Sequence, residues 1–220
     1  MSPVTTVVIY VEGPSDKAAM TQLLQPLLDQ KKQDGVIIDF FETVKGDRKV
    51  SVLGKIPIRA VNILLDKPAS VVVAMPDLYP KNKLFPHETA EEMFEGIRKN
   101  FEAALIKKTG SIDQRIAKRF LVFCFKHDLE ALLLAAEDAL KSRLGIQRLN
   151  RSWRMPVEDQ NHDSPPKRII EELFRQHGQL YKDTLDAPLI LGVSNYTDIV
   201  DRCSQCFRPF VEFIEKLPQL

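Results

Sequence analysis

The run Val4-Thr5-Thr6-Val7-Val8-Ile9-Tyr10-Val11 limits most strongly what this chain can fold into. It is β-branched, uncharged and does not alternate between apolar and polar residues. A strand with one wet face alternates; a strand covered on both faces, as in a parallel sheet between helices, does not. Glu12-Gly13-Pro14-Ser15-Asp16 then breaks the strand, with Ser15 a candidate helix cap and Asp16 suited to the positive end of the helix dipole. Met20, Leu23, Leu24, Leu27 and Leu28 recur at helical spacing, and Pro26 is expected to bend or divide that helix.

The strand-then-helix pattern returns three times. Val36 to Phe41 reads as a second strand, and Val50 to Leu65, which contains Pro57, as a broken helix. Ala69 to Met75 is a third strand, ending at Pro76-Asp77-Leu78-Tyr79-Pro80. A long helix is expected from about Glu88 to Lys107, with Ala90, Met93, Phe94, Ile97, Phe101 and Leu105 on one face. The fourth strand, Phe120 to Phe125, runs into Lys126-His127-Asp128-Leu129-Glu130, and Leu132, Leu133, Ala136 and Leu140 continue it as a helix. This alternation predicts an α/β fold: a mostly parallel four-stranded sheet with helices on both faces. Right-handed crossovers then set every strand C-terminus along one edge.

Residues 1–142 form that α/β core. Residues 143–220 read as an arginine-containing linker and a helical C-terminal extension packed on the same domain, with helical stretches at Ile169 to Phe174 and Cys206 to Leu217. Lys and Arg number 31 against 30 Asp and Glu, a formal charge of +1. Whole-surface attraction to nucleic acid is therefore not expected, and phosphate binding needs a local patch. No apolar run approaches the ~20 residues that span a bilayer, so no membrane partner is expected. No secretory signal is evident, and three cysteines, Cys124, Cys203 and Cys206, suit a reducing cytoplasm.

Acidic residues sit where a ligand site belongs. Glu12 follows the first strand, Asp77 the third, and Asp128 and Glu130 the fourth. In an open parallel sheet, ligands bind beyond the strand C-termini. Carboxylates converging there repel one another unless a cation lies between them, and Mg²⁺ is commonly held by one or two carboxylates with the substrate's phosphates. Asp16 and Asp128 also read as helix-terminal caps, the simpler of their two roles. Capping accounts poorly for Glu12, which precedes Gly13-Pro14.

Val11-Glu12-Gly13-Pro14-Ser15-Asp16, at the end of a first strand, resembles the opening motif of TOPRIM domains. More narrowly, the chain resembles DUF family 4276, a TOPRIM relative. The resemblance rests on Tyr10-Val11-Glu12-Gly13, Lys45-Gly46, Pro76-Asp77, Glu130-Ala131-Leu132-Leu133, Ser164-Pro165-Pro166-Lys167-Arg168-Ile169 and Cys203 through Phe210, in that order. It implies a TOPRIM-like (Rossmann-like) fold and a phosphodiesterase or nuclease using Mg²⁺ (or Mn²⁺). Glu12 would serve as catalytic acid/base or metal ligand, and Asp77 and Glu130 as metal ligands, with Asp128 and Asp16 as further candidates. Where a TOPRIM pattern offers a second Asp, this sequence has Tyr79. Asp128 or Glu130 could substitute, as in the overcoming-lysogenisation-defect nucleases that the chain distantly resembles. The alternatives are a one-metal site and a scaffold that docks an ATPase or nucleic acid without cutting. An AAA- or ABC-type ATPase partner and a role in bacterial defence are implied by the resemblance alone.

Lys167 and Arg168, at an expected helix start, are candidate phosphate ligands, as are Lys45 and Gly46 in a polar turn; solvated surface positions explain both pairs equally well. Arg143, Arg148, Arg151 and Arg154, beside Trp153, could follow a nucleic-acid backbone or mark an exposed helix end. Cys203-x-x-Cys206 lacks the second pair that a zinc site needs. His127 is a base or ligand candidate, with a buried, hydrogen-bonded histidine the simpler reading. No Walker loop is present.

Overall fold

The computed structural model describes residues 5–43, 48–79, 81 and 85–217. Lys45 and Gly46 lie outside them. Four parallel strands form one sheet in the order β2-β1-β3-β4, with β1 Thr5–Val11, β2 Val36–Glu42, β3 Ser70–Met75 and β4 Phe120–Val122. The two central strands are the ones whose sequence lacks alternation: every residue of β3 is buried, as are Val7, Ile9, Tyr10 and Val11 of β1. Edge strand β2 does alternate, buried at Val36, Ile38 and Phe40 and exposed between them.

Helix α1 (Pro14–Gln33) is unbroken. Of the two effects expected of Pro26, division does not occur: the helix runs through it. Nor does Ser15 cap it: Gly13 is the N-cap, and Asp16 reaches back to accept the Gly13 N–H at 2.8 Å. Between β2 and β3 the chain forms α2 (Arg48–Val50), a wide π turn at Ser51–Lys55, and α3 (Ile56–Asp66). The π turn is the break expected around Pro57, which sits in the first turn of α3, where its missing N–H costs nothing. Helix α4 (Ala90–Thr109) is capped by the Thr89 hydroxyl, which accepts from the Glu92 N–H, and buries Met93, Ile97, Phe101 and Leu105. A short α5 (Gln114–Ala117) leads to β4.

Two apolar clusters lie on the opposite sheet faces. Val8, Val72, Ala74 and Val122 pack with α3 and α4, where Phe101 stacks on Phe120 at 4.4 Å. Val7, Ile9, Val71 and Val73 pack with α1 and with the C-terminal helices. Those are α6 (Glu130–Ala135), α7 (Glu137–Leu144), α8 (Pro166–Gln176), α9 (Asp183–Gly192), α10 (Tyr196–Arg202) and α11 (Phe207–Glu215). The single helix expected after Glu130 is thus two, broken at Ala136, and α9 and α10 were not foreseen. Residues from before and after 143 share this second cluster: Leu23 and Met20 lie in it with Ile170, Leu191 and Phe210. Each fully buried large side chain there stabilises the fold by about 1.5–3 kcal/mol.

Buried polar groups fix the C-terminal helices. The Glu158 carboxylate accepts the N–H groups of Gln205, Cys206 and Phe207 at 2.6–2.9 Å, satisfying the orphan donors that open α11. Lys31 donates to the carbonyls of Glu215 and Leu217 at the other end of α11. No helix among the described residues is long and apolar enough to cross a membrane.

Candidate functional site

Strand register sets the site. Val11 pairs with Met75, so Glu12 and Pro76-Asp77 leave the sheet side by side. Beyond β4 the pairing persists: Asp77 bridges Phe125, the Phe125 N–H donates to the Pro76 carbonyl, and the Leu78 N–H donates to the Phe125 carbonyl at 2.7 Å. Those bonds carry Asp77 and the Lys126-His127-Asp128 segment off the same edge together. His87, buried, bridges the carbonyls of Leu78 (3.1 Å) and Phe85 (2.9 Å) and pins the loop after β3. Gly96 on α4 leaves room for the Phe85 ring, which a Cβ there would displace.

The acids meet electrostatically. The Asp77 N–H donates to Glu12 Oε1 at 3.0 Å, and Thr43 Oγ1 donates to the Glu12 carbonyl at 2.9 Å. Burial, followed by the charges of Glu12, Asp16 and Asp128, pushes the Asp77 carboxyl well above the usual carboxylate range; Lys49 opposes the rise. Burial and Glu130 push Asp128 up to about 8. Asp16 and Glu130 are raised as well, burial first, with Lys167 drawing both back. Five carboxyls that the sequence places up to 118 positions apart therefore sense one another's charge.

Asp16, Asp128 and Glu130 also have their own anchors. Asp16 holds the Gly13 N–H. Asp128 Oδ2 accepts the Lys167 N–H at 3.3 Å and so caps α8 rather than the helix that follows it in sequence. Its other oxygen, Oδ1, is buried with no hydrogen-bond donor among the described residues. The neighbouring Glu130 carboxyl favours a proton on Asp128 rather than supplying a donor of its own. Glu130, also buried, accepts from the Tyr181 hydroxyl at 3.0 Å and faces the Lys167 ammonium at 3.8 Å.

Lys167 sits between Glu130 and Asp183, the latter at 3.2 Å, so it borders the acids as sequence position implied, but as their counter-ion. Arg168 turns to Glu172 and the Asp163 carbonyl, outside the cluster. Sequence reasoning missed Tyr181 and Asp183, which arrive from the unforeseen α9 region. Lys49, in α2, also acts on Asp77 and was not singled out by the sequence.

The arginine stretch is largely structural. Arg143 grips the buried Asp186 through Nε at 2.9 Å and Nη2 at 2.5 Å, and Arg151 pairs with Glu172 and Ser164. Arg148 and Arg154 are exposed. Cys206 approaches Cys124, Sγ to Sγ 3.6 Å, rather than forming a site with Cys203.

Whether these acids suit a divalent cation follows from their chemistry. The donors are hard carboxylate oxygens, one of them is buried without a donor, and burial together with mutual repulsion favours the protonated form of Asp77 and Asp128, a penalty that a cation would relieve. Among the described residues no group of three His, Cys, Asp or Glu side chains is already placed to hold an ion.

Comparison with known protein families matches residues 11–215 to a domain of unknown function, DUF4276. The chain belongs to this family. The match runs from the last residue of β1 to the last of α11, so the family domain takes in both the sheet and the C-terminal helices. No curated protein sequence matches the chain. Among solved structures, the C-terminal region of the Burkholderia pseudomallei OLD protein is similar, with 15% identity, 96% of each chain covered and a TM-score of 0.46. The C-terminal region of the Xanthomonas campestris pv. campestris OLD protein is 14% identical over 94% of this chain and 96% of that one, with a TM-score of 0.40.

Proposed function

We propose that this DUF4276 protein is a divalent-metal-dependent phosphodiesterase acting on nucleic acid. One observation carries the reading: burial first, and then the charges of Glu12, Asp16 and Asp128, which follow β1 and β4, hold Asp77 above the ordinary carboxylate range. Acids paired with cations or N–H donors are normally pushed down. Here Asp16, Asp128 and Glu130 stay raised despite such partners, because they are buried close to one another's charge, an arrangement typical of functional sites. The TOPRIM-like opening at Glu12 supports the same reading.

Asp77, Asp128 and Glu12 would hold Mg²⁺ or Mn²⁺, with Asp16 and Glu130 adding negative charge behind them. Such an ion neutralises the phosphodiester and promotes ionisation of an attacking water. The chain's own residues orient the groups. Asp77 N–H fixes Glu12 Oε1, so the Glu12 carboxylate is positioned to take a proton from water or to pass one to the leaving oxygen. Tyr181 and Lys167 hold Glu130 in place. Lys167 and Lys49 offset charge that an incoming phosphate brings. Cleavage breaks one P–O bond and forms another to water, giving a phosphomonoester and a hydroxyl.

A second reading, a scaffold that docks an ATPase or nucleic acid without cutting, draws on Tyr79, which stands where the TOPRIM pattern offers a second Asp. Plasmid nicking decides between them. The proposal expects nicking with Mg²⁺ or Mn²⁺, alone or with an ATPase partner, and its loss in Glu12→Gln. Absence of cleavage under all four conditions favours the scaffold. A role in bacterial defence follows only if the cleaving enzyme is expected to meet foreign DNA in the cytoplasm.

A further inference from the structure

Beside the acids lies a cleft of about 830 Å³, within the ~300–1,000 Å³ range of small-molecule sites. Three aromatic rings line it. Tyr79 meets His162 at 4.3 Å between centroids and 83° between planes, and meets His127 at 5.3 Å and 38°. His127 and His162 stand 5.2 Å apart at 59°. None of these pairs is stacked face to face, so the two rings that reach the surface, Tyr79 and His162, keep face area for a further planar group, while the buried His127 backs them. Asp128, Pro165 and the Lys81–Glu88 ion pair complete the wall, which makes Asp128 common to the cleft and to the acid cluster.

We infer that this cleft is a nucleobase subsite, in which Tyr79 and His162, backed by His127, receive an unpaired base of the strand whose phosphate lies at the acids. The inference rests on the phosphodiesterase reading for the placement of that phosphate. His127 supports the two outer rings from beneath: its Nε2 donates to the Gln160 carbonyl at 3.0 Å, which fixes the plane of the ring. A phenol and an imidazole stack with any base, so recognition is tolerant of sequence. A base inside a duplex cannot reach such a cleft without leaving its stack, so the substrate is single-stranded or has its base turned out. Tyr79 then has a positive role, occupying the position of the missing Asp as a base platform.

The test measures binding with Ca²⁺ by fluorescence anisotropy, using a short thymidine oligonucleotide, an abasic strand of equal length and a blunt duplex. The inference expects the base-bearing strand to bind about tenfold tighter than the abasic strand, and tighter than the duplex. Tyr79→Ala and His162→Ala should each erase most of that preference while leaving abasic affinity unchanged, and Tyr79→Phe should retain it. His162 is exposed, so its variant keeps the fold even if Tyr79→Ala does not. Equal affinity for base-bearing and abasic strands, binding of neither, or a preference that survives both alanine variants overturns the inference. Because no cleavage is needed, a protein that discriminates bases but never nicks refutes the phosphodiesterase alone. One that nicks without discriminating refutes the subsite alone.

Discussion

The backbone N–H of Asp77 donates to Glu12 Oε1 at 3.0 Å, joining the end of β3 to the end of β1 across two strands 65 positions apart in sequence. The bond aims the Glu12 carboxylate along the edge where the other acids lie. Glutamine at position 12 can still accept this hydrogen bond through its amide oxygen but can no longer exchange a proton. Glu12→Gln is therefore expected to keep the wild-type melting temperature within a few degrees and lower nicking by at least about 100-fold. Parallel thermal denaturation and plasmid assays check both halves; unchanged nicking would remove Glu12 from the chemistry.

Asp128 makes stability depend on pH. Folded, it keeps its proton up to about pH 8; unfolded, it releases it near the ordinary value of 3.8. Between those limits the folded state binds more protons, so stability falls as pH rises, by up to about 1.4 kcal/mol per pH unit for this group. Below the lower limit both states are protonated, and above the upper one both are ionised, so the slope flattens at each end. Asp77, also raised, acts in the same direction. Urea denaturation of the metal-free protein should give a higher midpoint near pH 5 than near pH 8. Asp128→Asn should flatten that slope.

Arg143 and Arg148 separate structure from surface within the arginine stretch. Arg143→Ala strands the buried Asp186 carboxylate with only the Lys182 N–H, and should cost about 3 kcal/mol. Arg148→Ala changes an exposed side chain and should stay within about 0.5 kcal/mol of wild type. Denaturant midpoints of the two variants test this directly, and equal losses would contradict it.

The sheet was readable in the sequence because β1 and β3 carry unbroken apolar runs, which only burial on both faces explains. Helix α4 was readable because Met93, Ile97, Phe101 and Leu105 recur every fourth residue. Helices α9 and α10 were not. Pro188 sits inside α9, a residue that in sequence argues against a helix, and Leu185 and Leu189 are exposed, so its pattern carries no clear apolar face. Pro26 misled for a related reason: tertiary packing of Leu23, Leu24 and Leu27 outweighs one lost backbone hydrogen bond. At the site, each acid stood out by following a strand. Their partners carried no such signal, because Tyr181 reaches Glu130 from 51 positions away through the packing of helices. The capping of α8 by Asp128 was hidden likewise, since capping rules look only along the chain.

Calorimetric titration with Mn²⁺ at about pH 8 probes the gathered acids most directly. The wild-type chain should show saturable binding that releases protons, Asp77→Asn should weaken it at least tenfold, and Arg168→Ala should leave it unchanged. Absence of binding heat in the wild type, or an Asp77→Asn isotherm that matches it, would contradict a cation-binding edge.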